Sequence, residues 1–214
     1  MTFKIPIYKE TTRYSCGAAS ALMVLNFFKK VKLKRENEFE LWKEALALPF
    51  KFSSVSGIAS IFARRELKVR VITPMKKPKE SELKIPFKYE NIPKKSRKIE
   101  FNYYSFYKES QVKTAKKLGV NFIAKKPTLN DVIESLRYGL VIVHVDDWWL
   151  RKYVWKKKLQ HITHWIVAVG FDNYSLIVID PAYGKIKIPK NRFSDLMNTE
   201  KHVKMNSAII SVSK

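Results

Sequence analysis

Cys16, the single cysteine among 214 residues, stands in Glu10-Thr11-Thr12-Arg13-Tyr14-Ser15-Cys16-Gly17-Ala18-Ala19, where an apolar helical pattern begins. A helix N-terminus presents unpaired N–H groups and a positive dipole end, which favour a thiolate and can hold an anion. A sulfur so placed can act as a nucleophile, although most lone cysteines simply pack in a core. Two residues far along the chain favour the chemical reading: His164 and Asp180.

His164 opens a stretch in which Trp165, Val167, Val169 and Phe171 alternate with Ile166, Ala168 and Gly170. Period-two alternation marks a strand. It puts His164 on the face of the smaller residues, with room beside it. Asp180 closes the next strand, immediately before Pro181. Adjacent antiparallel strands can bring the carboxylate to the imidazole and fix its tautomer. Such an imidazole can take the thiol proton, the thiolate can attack a carbonyl, and the Cys16 N–H can stabilise the oxyanion. Read singly, His164 and Asp180 each suit a structural role.

The elements that must position these groups follow from periodicity and punctuation. Residues 16–30 read as a helix with Ser15 as N-cap, followed by helices at 36–46 and from Ser56. Lys68 to Thr73 alternates like a strand. Between Pro74 and Lys98 the pattern dissolves into Pro, Lys and Glu, as in an exposed insertion. The aromatic stretch 99–106 reads as extended, 109–118 as a helix ending at Gly119, and 120–124 as a short strand. Thr128 and Asp131 form a capping box for a helix stopped at Tyr138-Gly139. Strands follow at 140–145, 163–171, 175–179, 185–188 and 207–212, with a helix at 192–197. Residues 146–160 form a loop carrying Trp148, Trp149, Tyr153 and Trp155, which suits a lid over a peptide, a plug or a dimer contact. Helices first and antiparallel strands last define an α+β domain spanning 1–214, with a basic insertion at about 74–127.

Composition sets the limits. A length of 214 residues with 46% hydrophobic content supports a core without disulfide or metal. One cysteine excludes an internal disulfide and favours a reducing compartment, so a soluble, cytoplasmic protein is expected. No apolar run is long enough for a membrane span. The net charge is +23, and residues 75–127 carry 15 basic and 5 acidic groups. That surplus attracts acidic protein surfaces or nucleic acid without choosing between them, or simply solvates the surface. No zinc-finger or RNA-recognition signature accompanies it.

Cys16-Gly17-Ala18-Ala19 before an apolar helix, Gly139-Leu140-Val141-Ile142-Val143, His164-Trp165-Ile166-Val167-Ala168-Val169-Gly170 and Asp180-Pro181 resemble the papain-like double-glycine leader peptidases. These are the bacteriocin-processing domains found alone or on ABC transporters. The resemblance covers residues 8–30 and 128–185, and leaves out the basic segment 74–127. It implies a papain-like fold with N-terminal helices packed on a C-terminal antiparallel sheet. It also implies a peptide or protein substrate, no cofactor, Cys16 as nucleophile, His164 as general base and acid, and Asp180 as orienting carboxylate.

The sequence departs from that family at one position. The family carries glutamine six residues before the cysteine, where its amide helps form the oxyanion hole; here the residue is Glu10. An ionised carboxylate repels the developing charge, and holding it protonated at neutral pH costs about 4 kcal/mol. Glu10 therefore keeps one alternative open, a catalytically weak or inactive peptide-binding module of the same fold; a second, a thioester-forming acyltransferase, stays open because the sequence shows the nucleophile and not the acceptor. A solvated loop residue is the bland reading of Glu10. No metal site is expected, since His161 with His164, and His144 with Asp146, lack a third ligand of comparable strength.

Overall fold

The computed structural model describes residues 2–158 and 162–214, the side chain of His202 excepted. Helix α1 (Cys16–Phe27) buries every residue from Gly17 to Leu25. Being apolar on all sides, it is a core helix, and each fully buried Leu or Met in it contributes about 2 kcal/mol. α2 (Arg35–Ala45) and α3 (Val55–Ala63) pack around it. Ser15 does occupy the N-cap position, but its hydroxyl caps no helical amide. It donates to the Thr12 carbonyl at 3.0 Å and accepts from the Thr12 amide at 3.2 Å. The turn ahead of the helix consumes the hydroxyl, so Ser15 does not occupy the first helical N–H groups.

Seven strands form one sheet among the described residues, in the order β2-β1-β7-β3-β4-β5-β6. They are β1 (Lys68–Thr73), β2 (Asn121–Ala124), β3 (Leu140–Asp146), β4 (Thr163–Phe171), β5 (Ser175–Asp180), β6 (Gly184–Pro189) and β7 (Ala208–Ser213). Every pairing is antiparallel except β1 with β2. Along β4 the expected alternation holds from Trp165 to Val169 and then breaks: a bulge between Ala168 and Gly170 turns Phe171, expected beside Val169, to the opposite core. Trp165, Val167 and Val169 join the α1–α3 core, whereas Ile166 and Ala168 enter a second core on the opposite face. That second core is covered by α6 (Leu129–Leu136) and α8 (Lys190–Leu196). The α6 capping box forms as read: the Thr128 hydroxyl accepts from the Asp131 amide, and the Asp131 carboxylate accepts from the Thr128 amide. The observed architecture is α+β, with the N-terminal helices on the sheet.

Two segments differ from the sequence reading. Residues 99–106, expected extended, are the first half of the long helix α5 (Arg97–Lys117). Their aromatic content favours strand locally, but Tyr104 packs with Leu83 and Phe87 of the preceding segment against Ala47 and Phe50. Tertiary packing overrides a propensity worth a few tenths of a kcal/mol per residue. Residues 74–98 likewise contain a short helix, α4 (Lys84–Tyr89), with Phe87 fully buried, so this stretch is not merely exposed. The Trp-rich stretch is no open loop either: α7 (Trp148–Leu150) runs into a π-helical turn at Arg151–Trp155. Among the described residues no helix is long and apolar enough to cross a membrane.

His144 on β3 faces Trp165 across the strand pair, ring centroids 4.4 Å apart, with Nδ1 3.2 Å from the Asn206 carbonyl. Burial pushes its pKa down to about 4, against the raising effects of that carbonyl and of Asp146. Because the unfolded chain binds this proton near pH 6.5 and the folded chain only near pH 4, stability falls as pH drops through that window. The loss reaches about 3 kcal/mol between pH 7 and pH 4. Urea unfolding at the two pH values should show His144→Gln losing about 3 kcal/mol less than the wild type.

Candidate active site

The chain from Thr2 to Glu10 runs beside β4 and the end of β5, which bear His164 and Asp180. The Phe3 amide donates to the Val169 carbonyl at 2.7 Å, and the Glu10 amide to the Pro181 carbonyl at 2.9 Å. Glu38 of α2, fully buried, anchors the same segment. Its carboxylate accepts from the Thr11 amide at 3.0 Å, the Thr11 hydroxyl at 2.7 Å and the Tyr8 hydroxyl at 3.0 Å. Burial, and next the Glu38 hydrogen bond, push the Tyr8 hydroxyl up to about 12, so it stays a donor. Glu10 is thereby delivered to the end of β5 and the mouth of α1.

Cys16 opens α1, where the first N–H groups have no intrahelical acceptor. One turn on, the Ser20 hydroxyl donates to the Trp165 carbonyl at 3.2 Å, tying the helix to β4 beside His164. Gly17 is required by close approach: a Cβ there would lie 2.7 Å from the Ser53 Cβ and 2.9 Å from the Ile58 Cδ1. Any larger residue would push the turn that bears Cys16 away from α3.

His164 lies opposite Val145 in the β3–β4 pairing and is 6% exposed, so its proton chemistry is set by neighbours and not by bulk water. Its Nε2 is 3.1 Å from Asp180 Oδ1, which leaves Nδ1 for the thiol. Asp180, wholly buried, also accepts from the Ala182 amide at 2.7 Å. The tight turn that provides this amide ends at Gly184, whose φ of 85° suits glycine. A donor atom from each of Glu10, Cys16 and His164 lies within 4.8 Å of the other two. Burial lowers the His164 pKa, but the Asp180 carboxylate and the Cys16 sulfur more than offset it and hold the imidazole well above its ordinary value. Burial raises the Glu10 pKa; His164 and Lys157 oppose this, and Asp180 and Glu38 add to it. Glu10 Oε2 is buried without a hydrogen-bond partner.

The structure thus gathers Cys16, His164, Asp180 and Glu10. Among the described residues they include the one trio of possible metal ligands that converges, and His144 with Asp146 stands outside it. His161 lies outside the described residues. The model of the Peptidase C39-like family matches residues 5–206. The chain belongs to that family. Family membership spans the basic middle segment as well as the motifs around Cys16 and His164. No curated protein matches the sequence. Among solved structures, a C39-like peptidase by name, from Bacillus anthracis, aligns over 99% of this chain and 96% of its own, with 12% identity and TM-score 0.52. A double-glycine motif protease from an AMS/PCAT transporter, in complex with the leader peptide, aligns over 98% and 92%, with 15% identity and TM-score 0.47. The first of these carries the papain-like peptidase fold assignment.

Sequence reading missed several residues that shape the site. Trp155 stands edge-on to the His164 ring, centroids 5.3 Å apart at 89°, and stacks on Tyr183 at 4.9 Å. It sets an apolar ring against the imidazole. The turn presenting it is held by Asp147, which accepts from Arg151 Nε at 2.6 Å and from the Ile162 amide at 3.1 Å. Glu38 did leave a signal: with Leu41 and Ala45 it occupies the buried stripe of α2, where a carboxylate must find partners. A narrow cleft beside Cys16, lined by Tyr14, Tyr89 and Trp165, adjoins a cavity of ≈ 620 Å³ through shared walls at Phe52, Ser53 and Met205. The middle segment supplies Tyr89, Tyr104 and Val112 to these walls.

Proposed function

We propose that the protein is a papain-like cysteine peptidase acting on a peptide through Cys16, His164 and Asp180. The reading is supported by one observation above all: a thiol, an imidazole and a buried carboxylate meet in sequence, with His164 Nε2 3.1 Å from Asp180 and the Cys16 sulfur on its other side. His164 Nδ1 accepts the thiol proton, and Asp180 holds the resulting imidazolium in place. The thiolate attacks the scissile carbonyl, and the Cys16 N–H at the head of α1 stabilises the oxyanion. His164 then protonates the leaving amine, and water releases the acyl group from sulfur. The His164–Asp180 pair is buried, and low local polarity strengthens its attraction.

Family membership supports a peptide substrate. The cleft at Tyr14 and Tyr89 offers it aromatic walls, and the surplus of Lys and Arg in residues 75–127 favours acidic flanking residues. A working free thiol suits a cytoplasmic setting. The second reading, a peptide-binding module of low activity, is favoured by Glu10 at the place of an oxyanion donor. A thiol-directed peptide probe decides whether the sulfur is nucleophilic. Covalent labelling at one site, lost in Cys16→Ala, is expected by intact-mass measurement. A native protein left unlabelled at neutral pH while iodoacetamide reaches the sulfur would overturn the proposal.

A further inference from the structure

We propose that Glu10, Cys16 and His164 form a binding site for a thiophilic divalent cation, Zn2+, whose occupancy switches off the thiol chemistry. The inference builds on the peptidase reading for its consequence, but the ligand set stands on geometry alone. One donor atom from each residue lies within 4.8 Å of the other two. Tetrahedral zinc with bonds near 2.0–2.3 Å needs donors about 3.3–3.8 Å apart, a contraction that the side-chain torsions of Glu10 can supply. Thiolate, imidazole and carboxylate are all zinc ligands, and three protein donors leave a fourth position for water from the cleft. The thiolate also selects against magnesium and calcium, which prefer oxygen alone.

Three further features fit a cation there. Glu10 Oε2 is buried without a partner, so one carboxylate oxygen in the trio is uncommitted. Asp180 accepts from the Nε2 side of His164, which turns the Nδ1 lone pair toward Cys16 and Glu10. A carboxylate behind a ligating histidine is the usual second support of a zinc site. Charge also favours a cation: the Cys16 thiolate, Glu10 and the Asp180 carboxylate behind His164 put anions around the trio, on a chain of net charge +23. Binding displaces one proton from the Cys16–His164 pair to solvent, forms the sulfur–zinc bond, and leaves sulfur unable to attack a carbonyl.

The test uses the full chain after chelator treatment. Titration with Zn2+ against a chromophoric chelator should give one tight site, weakened about tenfold or more in Glu10→Gln. Co2+ as probe should produce a thiolate-to-cobalt charge-transfer band in the wild type, absent in Cys16→Ser. Zn2+ should block iodoacetamide labelling of Cys16, and chelator should restore it. A wild-type protein with no cobalt–thiolate band would overturn the proposal without any variant having to fold. Equal Zn2+ affinity in wild type and a natively folded Glu10→Gln would overturn it too. Failure of the peptidase reading looks different: the metal-free wild type would ignore the peptide probe while the cobalt band persisted.

Discussion

His164→Ala is expected to lower turnover of a cleavable fluorogenic peptide by about 10⁵- to 10⁶-fold, and the double variant with Cys16→Ala to be no slower than either single one. The imidazole has two tasks in the proposed mechanism, removing the thiol proton and returning one to the leaving amine, so its loss disables both half-reactions. Asp180→Asn should cost less, about 10⁴-fold, because it acts through the imidazole. Asp180 also accepts from the Ala182 amide, so a melting curve must accompany the rate. Rates that add independently across the double variant would mean that the thiol and the imidazole do not work as a unit.

Glu10→Gln is expected to accelerate the same reaction by about 10²- to 10³-fold, the value of one oxyanion donor. Two effects push the same way. The amide adds an N–H donor where the carboxylate offers none, and it removes an anion within 4.8 Å of the Cys16 sulfur. At that range an ionised Glu10 repels a second negative charge by about 3 kcal/mol at an effective dielectric near 20. The gain should sit in kcat, since the oxyanion exists only in the transition state. It should also depend on pH with a definite sign. Burial raises the Glu10 pKa, so at acid pH the wild type holds a neutral, donating carboxyl and approaches the variant. As pH rises and that proton leaves, the ratio of variant to wild-type rate grows. A slower variant, with unchanged melting temperature, would instead make the carboxyl the better donor and remove the case for a hampered enzyme.

These expectations separate the two functional readings. A peptidase held back by its own carboxylate speeds up on Glu10→Gln, whereas a binding module turns nothing over with either residue. The acyltransferase alternative shares the acyl–sulfur intermediate and differs in the acceptor, so labelling of Cys16 cannot distinguish it. An added amine or thiol acceptor that diverts the acyl group from water can.

Local features of this chain were legible before any fold was known. The apolar run after Cys16, the period-two pattern around His164, the Asp180-Pro181 strand end and the Thr128–Asp131 capping box are set by steric and hydrogen-bonding rules within a few residues. Tertiary structure decided the rest. Residues 99–106 became helix because Tyr104 found an apolar partner in Phe50, over fifty positions earlier. Trp155 sets its ring against His164, and Glu38 holds the segment bearing Glu10, through contacts that no local pattern encodes. The meeting of Glu10 and Cys16 with His164 is of the same kind. Bringing groups some 150 residues apart to within 4.8 Å depends on the packing of α1 against β4, whose core contacts must offset the chain entropy of ordering them.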